Sequence, residues 1–293
     1  MHKIIVITGP TAVGKTKLSI ELAKKYDGEI INADAVQVYK GLDIGSAKVT
    51  EEEKEGIPHH LLDFKEVTEE YTIYHYQKDC REKIKDIQSR NKTPILVGGT
   101  GLYIKVALYD YKLSEEKSTN TYDNLTNEEL YEELKKLDKD IIIDKDNRRR
   151  LIRAINYYKE NNESINKNKT NKLLYNVIFI GLTTDRQVLY DKINKRVDEM
   201  ISQGLLEEVK SFYDKGIKSK PLLNAIGYRE LYNYLDGNCT KEEAIEKIKQ
   251  NSRHYAKRQY TFFNHQLPVV WFETDYNNFN NTIEKVASYI DSN

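Results

Sequence analysis

The sequence has few cysteines and no long apolar run. Its 293 residues include two cysteines, Cys80 and Cys239, which lie far apart without a CxxC pair. This number and spacing argue against a disulfide framework and against a cysteine zinc site. No segment approaches the roughly 18 consecutive apolar residues of a membrane span, and the apolar run Ile4–Thr8 is shorter than the core of a signal peptide. We therefore expect a soluble, cytoplasmic protein without a membrane partner.

The sequence also lacks a net charge. Lys plus Arg and Asp plus Glu each number 46, so a nucleic-acid partner would have to be met by a local basic patch. Two runs qualify, one formed by Arg148, Arg149, Arg150 and Arg153 and the other by the basic residues between 247 and 258. Charge runs are usually solvated faces, and each alone is weak evidence for RNA binding. Two runs on a neutral protein strengthen that hypothesis.

One short segment has the pattern of a phosphate-binding loop. Residues 9–16 read "GPTAVGKT" and match G-x-x-x-x-G-K-[ST]. An apolar strand is predicted over residues 3–8, and a helix facing a sheet begins at Lys15. The glycines allow close approach to phosphate oxygens, the helix N-terminus and Lys15 supply positive charge, and the Thr16 hydroxyl is suited to Mg²⁺. With this context the pattern predicts a phosphate site, the alternative being an ordinary strand-to-helix turn.

Strand-like segments alternate with predicted helices along the chain. Further strands are expected at 29–34, 94–101, 176–183 and 268–274, and long helices at 72–90 and 185–203. The alternation is typical of an α/β fold, a parallel sheet flanked by helices as in P-loop NTPases. Ligands of such sheets bind beyond the carboxyl ends of the strands. Asp34, Thr100 and the glycine loop are all expected at that edge.

Residues 112–172 differ in character from the rest. They contain few strand-like runs and many Lys, Glu and Asn, which predicts a small helical insertion between core segments 1–111 and 173–293. A capping-box pattern at Thr126 and Glu129 predicts a helix start, and the polar stretch 159–172 has the composition of an exposed connector.

Helices dominate the chain after the strand at 176–183. Three or four are expected, with Gly204 and Gly237 ending two of them. A second capping box at Thr240 and Glu243 predicts the start of a long helix.

The strand "PILV" lacks a carboxylate at its end. Motor proteins and GTPases usually have an acidic residue after a second apolar strand, where it holds the metal and organises the attacking water. Here the strand continues into Gly98, Gly99, Thr100 and Gly101. Asp34 is the available strand-end carboxylate, and Gln37, Tyr39 and Lys48 follow it with groups for hydrogen bonding and stacking. This environment favours a second substrate over a hydrolytic water.

Arg196 and a histidine pair stand out among the remaining polar residues. Arg196 lies on the apolar stripe of its predicted helix, three residues after Ile193 and four before Met200. A cation there must snorkel, pair or bind an anion, and a diphosphate in the glycine loop would suit it. His59 and His60 are adjacent and have no third metal ligand at the usual spacing, so we expect a loop that shapes the mouth of the site.

Eight motifs in order resemble those of one family, the tRNA dimethylallyltransferases, also called isopentenyl or IPP transferases. The motifs are "GPTAVGKT", "INADAVQVYKGLDIGSAK", "GIPHHLLD", "ILVGGTGLY", "DNRRRLIRA", "INKRVDEMISQGLLEEV", "AIGYRELYNYL" and "YAKRQYTFF", and they span nearly the whole chain. The resemblance implies transfer of a dimethylallyl group from dimethylallyl diphosphate to N6 of adenosine 37 in tRNAs that read codons beginning with U. It implies Mg²⁺ as cofactor and the tRNA anticodon stem-loop as partner; we expect a monomer, since nothing indicates a coiled-coil seam.

The resemblance also implies roles for individual residues. Asp34 would be the general base, and Thr100 would lie beside the reacting atoms. The diphosphate would be bound by Arg196 and the loop residues Gly9, Pro10, Thr11, Ala12, Val13, Gly14, Lys15 and Thr16. Contacts with tRNA would come from Asp34, Ala35, Val36 and Gln37 and from Arg149, Arg150, Leu151, Ile152 and Arg153. The family commonly has Ser where this chain has Ala35, and Thr where it has Ser46.

Three other functions are compatible with parts of the pattern. A transferase acting on free adenine nucleotides would share the chemistry but would not need residues 112–172. A small-molecule kinase would transfer the γ-phosphate of ATP. An RNA-binding protein with a vestigial phosphate loop would show no transfer at all.

Overall fold

The computed structural model describes residues 3–113, 122–166 and 171–293 and divides the chain into two compact units. The larger unit comprises residues 1–107 and 175–293, and the smaller comprises 108–174. The insertion expected at 112–172 falls within the smaller unit, whose bounds are a few residues wider. Part of the polar connector, residues 167–170, lies outside the described residues.

The larger unit is built on a parallel six-stranded sheet. Its strands are β1 (Ile4–Thr8), β2 (Gly28–Asn32), β3 (His59–His60), β4 (Thr93–Val97), β5 (Val177–Thr183) and β6 (Val270–Glu273). Their order in the sheet is β3-β2-β4-β1-β5-β6, with every pair parallel. The α/β fold expected from the alternating pattern is confirmed. Since β4 lies between β1 and β2, the ends of these three strands are adjacent at one edge.

Helices connect and cover these strands. They are α1 (Lys15–Lys25), α2 (Glu51–Lys54), α3 (Ile73–Ser89), α4 (Gly101–Leu108), α7 (Arg186–Ser202), α8 (Leu205–Tyr213), α9 (Lys220–Asn224), α10 (Tyr228–Leu235), α11 (Lys241–Gln266) and α12 (Phe279–Ser292), while α5 (Asn127–Leu137) and α6 (Arg148–Asn161) belong to the smaller unit. Within residues 177–293 six helices follow β5, so the expectation of three or four was too low. The short helices α8, α9 and α10 account for the difference.

Local sequence signals explain where several helices begin. Thr126 and Thr240 form the expected capping boxes, each accepting from the backbone N–H of the residue three positions on, Glu129 and Glu243. Asp185 accepts hydrogen bonds from the amides of the first turn of α7. Gly204 follows the C-cap of α7 with φ of 104°, so the expectation that it ends a helix is confirmed, and the same residue is the N-cap of α8.

The main apolar core lies between the sheet and three helices. Ile5, Ile7 and Ile180 of β1 and β5 pack with Leu18 and Leu22 of α1, Leu189 and Ile193 of α7, and Val286 and Ile290 of α12. The smaller unit has its own core, formed by Leu130, Leu134, Leu151, Ala154 and Ile155 of α5 and α6 with Tyr122 and Ile141. None of the helices in the described ranges is long and apolar enough to cross a membrane.

A buried carboxylate fixes the outer strands of the sheet. Glu29 of β2 is almost fully buried and binds the Arg90 guanidinium, with Nη2 to Oε2 at 2.9 Å, and His60 Nε2 at 2.7 Å. The bond from Arg90, aided by the one from His60 and opposed by burial, lowers the pKa of Glu29 to about 2. His60 is therefore part of strand β3 and its anchor, and the expectation of a loop at the site mouth was wrong.

We expect Glu29→Gln to remove an acid-sensitive part of the stability. The folded-state pKa lies below the unfolded one, so the ionised carboxylate stabilises the fold above pH 4.5 and this contribution is lost as pH falls toward 2. A shift of this size corresponds to at most about 3 to 4 kcal/mol. Urea unfolding of both proteins should show the largest difference near neutral pH and a shrinking one under acid. A constant difference would contradict the assignment, and the exposed Glu52→Gln serves as control.

Candidate active site

A cavity of about 960 Å³ opens at the carboxyl edge of the sheet. Its wall includes residues of the glycine loop after β1, the segment Asp34–Gln37 after β2 and the turn Gly98–Thr100 after β4. Helices α7 and α11 contribute Arg196 and Tyr255 to the wall. The expected convergence of three strand ends is therefore present, and all these residues belong to the larger unit.

The glycine loop has the backbone of an anion-binding turn. Gly9, Ala12 and Gly14 have φ of 132°, 68° and 93°. A side chain at Gly9 would place its Cβ 2.5 Å from the carbonyl oxygen of Leu182, so only glycine fits beside β5. Alternating conformations of this kind expose successive amides to an anion, next to the N-terminus of α1.

Lys15 lies folded into the loop. Its ammonium donates to the carbonyl oxygens of Gly9 at 3.0 Å and Pro10 at 2.6 Å. Burial, followed by the nearby positive charge of Arg196, lowers the pKa of Lys15 to about 7, while Asp34 opposes this shift. An anion bound in the loop favours the protonated form of such a group.

Arg196 joins the phosphate loop from across the cavity. It lies on α7 between Ile193 and Met200, which also line the cavity, so the unusual position on the apolar stripe is confirmed. Its Nη1 donates to Thr11 Oγ1 at 2.9 Å. Burial lowers the pKa of Arg196. In such a buried environment, hydrogen bonds from a fixed guanidinium to a bound anion are strong.

Asp34 is held by its own backbone two residues beyond β2. Its Oδ1 accepts from the amide of Val36 at 2.8 Å and from that of Gln37 at 3.4 Å, and its own amide donates to Asn32 Oδ1. The other oxygen, Oδ2, lies beside Gly99, 3.9 Å from where a Cβ would stand. One oxygen thus fixes the carboxylate while the second lies next to the turn after β4.

Thr100 connects the two turns. Its Oγ1 accepts from the Ala35 amide at 3.0 Å, and its amide donates to the Ala33 carbonyl at 3.0 Å. Gly98 approaches so closely that a Cβ would lie 2.2 Å from Ala33 O. The chain has no hydroxyl at position 35, and the Ala35 backbone is instead fixed by Thr100.

Two residues of α11 that sequence reasoning missed support this turn. Gln259 is buried and donates from Nε2 to the Gly99 carbonyl at 3.0 Å. The Tyr255 hydroxyl interacts with Thr100 and Gln259, and burial raises its pKa. Both residues stand in the motif "YAKRQYTFF", so the signal was present, but their spacing alone assigned them no role.

A second missed segment runs from the last residue of α9 into the first turn of α10. Asn224, Ala225, Ile226, Gly227 and Arg229 line the cavity. All of them except Asn224 come from the motif "AIGYRELYNYL", and the short helices here give too weak a periodicity to be placed from sequence.

Some polar residues expected to face a second substrate have structural partners. The Lys48 side chain is 6% exposed and pairs with Asp43 at 2.6 Å and Asp63 at 2.5 Å. Tyr39 is also buried. Gln37 lines the cavity, and its side-chain Nε2 donates to the backbone carbonyls of Ser46 and Ala47. Of these three residues Gln37 lies at the cavity, whereas Tyr39 and Lys48 hold the loop together.

Within the glycine loop, the residues expected to contact phosphate differ in their positions. Thr11, Ala12, Gly14, Lys15 and Thr16 line the cavity, whereas the side chain of Val13 is fully buried. Gly9 and Pro10 hold Lys15 through their carbonyls. No cluster of three or more His, Cys, Asp or Glu suited to a metal occurs in the described part of the chain.

The arginine-rich helix of the smaller unit is divided by burial. Arg149 and Arg150 are exposed, Ile152 and Arg153 are half-buried, and Leu151 is fully buried in that unit's core. Arg148 donates to the carbonyls of Leu125 and Tyr122, each at 2.6 Å. The Leu151 side chain therefore packs inside the unit, contrary to the expectation that it faces tRNA, and the exposed charges are those of Arg149 and Arg150.

The second basic run is partly neutralised. On α11, Lys249 pairs with Asp198 at 2.7 Å, and Arg253 donates to Asn194 Oδ1 at 2.5 Å. Arg258 lines the cavity. Two residues of this run therefore join α11 to α7, whereas Lys247, His254, Lys257 and Arg258 are exposed.

Known proteins with similar sequences and folds span nearly the whole chain. The family model of the IPP transferases matches residues 37–266. A tRNA dimethylallyltransferase of Anoxybacillus flavithermus is 50% identical over 99% of this chain and 96% of its own length. The solved tRNA isopentenylpyrophosphate transferase of Bacillus halodurans has a TM-score of 0.78 at 41% identity and covers 100% of this chain and 96% of its own. A eukaryotic dimethylallyltransferase, solved acting on tRNA, has a TM-score of 0.89 at 29% identity, covering 100% and 79%.

These matches confirm the resemblance carried by the eight motifs. The family model covers most of the chain, and the bacterial relative aligns over almost all of it at half identity. The glycine loop and Asp34 lie just before the matched range and within the full-length alignment. The chain belongs to the IPP transferase family.

Proposed function

We propose that the protein transfers the dimethylallyl group of dimethylallyl diphosphate to N6 of an adenosine in tRNA, releasing diphosphate. The names of its relatives support this reaction. Within the proposal the acceptor is adenosine 37, in tRNAs that read codons beginning with U. Within the same proposal the protein acts in the cytoplasm as a monomer.

The observation that carries the proposal is one cavity with an anion site and a carboxylate. Lys15, Arg196 and the loop amides supply the anion site. Asp34 faces the same space, whereas β4 ends in glycines, without the carboxylate that would organise a hydrolytic water. A leaving diphosphate and an amine that must lose a proton need these two groups together.

The reaction exchanges one bond for another at the allylic carbon. The bond between this carbon and the diphosphate oxygen breaks, and a bond to N6 of adenine forms. An N6 proton passes to Asp34 Oδ2, because the exocyclic amine is a weak nucleophile until its proton is removed. Lys15, Arg196 and the loop amides stabilise the charge that develops on the diphosphate. Thr100 holds the backbone beside Asp34 so that the carboxylate stays in place.

Mg²⁺ is proposed as cofactor at the diphosphate. The residues present fit a weakly held ion, since Mg²⁺ is usually bound through substrate phosphates, waters and few protein ligands. The Thr16 hydroxyl, at the cavity wall and in the first turn of α1, would be its protein ligand. When bound, the ion neutralises charge on the leaving diphosphate.

The acceptor base must leave the stack of its loop to reach Asp34. Enzymes that act on nucleobases generally flip the base into a pocket, and single-stranded loops are the usual targets of specific RNA recognition. We propose that Asp34–Gln37 contact the flipped nucleotide and that Arg149 and Arg150 bind the phosphates of the anticodon stem. Ile152 and Arg153 would support this contact from the same helix.

A single assay distinguishes this function from its alternatives. Labelled dimethylallyl diphosphate is incubated with the protein, AMP, ATP and unmodified tRNA containing A at positions 36–38, and each acceptor is examined for label. Label in tRNA that disappears when position 37 is G supports the proposal. Label in AMP or ATP would identify a nucleotide prenyltransferase. Phosphate transfer from labelled ATP would identify a kinase, and tRNA binding without transfer an RNA-binding protein.

Neutralising Arg149 and Arg150 is expected to weaken tRNA binding. Each phosphate contact contributes slightly less than one unit to the slope of log K against log salt, so the double Gln variant should flatten the slope by about 1.5. Filter binding across a salt series measures this. The matched control is Lys78→Gln with Lys85→Gln, two exposed lysines on α3. An unaltered slope, or an equal change in the control, would remove this helix from the interface.

A further inference from the structure

The segment after β6 contacts the phosphate loop at three successive residues. Thr274 Oγ1 donates to the Val13 carbonyl at 3.0 Å, and the Tyr276 hydroxyl donates to the Ala12 carbonyl at 3.4 Å. Phe279, the first residue of α12, packs against Gly14 so tightly that a Cβ there would lie 2.6 Å from its ring. These contacts join parts of the chain more than 260 residues apart, and the contacting segment lies beyond the range matched by the family model.

The hydrogen bonds from this segment fix the direction of the loop amides. In a planar trans peptide, the carbonyl of one residue points opposite to the N–H of the next. Because Thr274 binds the Val13 carbonyl, the N–H of Gly14 points away from Thr274. Because Tyr276 binds the Ala12 carbonyl, the N–H of Val13 likewise points away from Tyr276. Gly14 is a residue of the cavity wall.

The backbone of the glycine loop includes an unfavourable conformation that its surroundings must stabilise. Ala12 has a φ of 68°, which a residue with a side chain rarely adopts. Conformations of this kind persist when the surroundings hold them in place. Thr274 is well placed to do so because it is 5% exposed and its amide is itself bound to the Thr183 carbonyl of β5.

We propose that Thr274 is a positioning residue for the diphosphate, acting through the Val13 carbonyl on the Gly14 amide, with Tyr276 and Phe279 as secondary supports. The identity of the phosphate ligand rests on the proposed function. The positioning of the loop does not, since any diphosphate held by these amides requires the same backbone direction.

Thr274→Val tests the role because it keeps the shape of the side chain and removes the hydroxyl. Losing one hydrogen bond that orients the loop should weaken binding of inorganic diphosphate roughly three- to tenfold. The KM for dimethylallyl diphosphate should rise similarly, while the KM for tRNA stays unchanged. Thr274→Ser restores the hydroxyl and should restore both values.

The matched control is Thr282→Val. Thr282 is also buried, belongs to α12, and accepts a hydrogen bond from the Asp275 amide without touching the phosphate loop. It should lower the thermal midpoint but leave diphosphate affinity unchanged. An equal loss of affinity in both variants, no loss in Thr274→Val, or no rescue by Ser would overturn the proposal. Calorimetry with inorganic diphosphate decides this even if transfer to tRNA is absent.

Discussion

Asp34→Asn is expected to reduce kcat for transfer to tRNA by about 10²- to 10⁴-fold, the usual contribution of a general base. The substitution keeps an oxygen that can accept from the amides of Val36 and Gln37, as Asp34 Oδ1 does. It removes the negative charge and the basic oxygen beside Gly99. Affinity for tRNA should therefore change little, and single-turnover assays with saturating dimethylallyl diphosphate measure the loss.

A matched control separates the base from the backbone cap. Asp185 also caps a turn, accepting from the amides of Gln187 and Val188 at the start of α7. Asp185→Asn should leave kcat close to that of the unaltered protein. Near-normal turnover in Asp34→Asn would exclude the carboxylate as general base, and an equal loss in both variants would indicate a structural effect.

The position of Asp34 was predictable in part from sequence. Short-range patterns locate the glycine loop, and alternating strands and helices imply a parallel sheet whose strand ends share an edge. The adjacency itself depends on the strand order, which places β4 between β1 and β2. Because of that order, Gly98 touches Ala33 and Thr100 binds the Ala35 amide. Local patterns contain no information on which strands become neighbours.

Long-range partners explain the expectations that were wrong. Lys48 has the chemistry of a ligand-binding residue, but Asp63, 15 positions away, neutralises it. His60 belongs to a strand of two residues, too short to show periodicity, and its partner Glu29 lies on another strand. Leu151 stands among arginines yet packs into the core of its own unit. In each case the chemistry of the side chain was clear from the sequence, but the distant residues that it contacts could not be predicted.

The same reasoning explains why Thr274 could not be found from sequence. A threonine after an edge strand has no distinctive pattern, and its role depends on the Val13 carbonyl at the opposite end of the chain. Arg196 differs because a cation on an apolar helical stripe is itself an anomaly. In the structure the Arg196 Nη1 donates to Thr11 Oγ1 of the glycine loop at 2.9 Å.

Arg196→Ala is expected to lower kcat by about 10²- to 10³-fold, as for loss of one preorganised donor to a developing anion. The KM for dimethylallyl diphosphate should rise as well, since the ground-state diphosphate also loses a cation. Arg196→Lys should give an intermediate loss, because the ammonium keeps the charge but not the planar guanidinium fork. Steady-state rates over a range of dimethylallyl diphosphate concentrations measure both parameters.

The control for Arg196 is Arg186→Ala on the same helix. Arg186 is exposed and stacks on Tyr190, so its loss tests whether any arginine removed from α7 impairs the enzyme. An unchanged dependence on dimethylallyl diphosphate in Arg196→Ala would assign Arg196 to packing, with its charge satisfied by Thr11 and solvent. A loss confined to the allylic substrate, with the KM for tRNA unchanged, would place the guanidinium on the leaving group. It would also separate the two proposed ends of the cavity, with Asp34 at the acceptor and Arg196 at the donor.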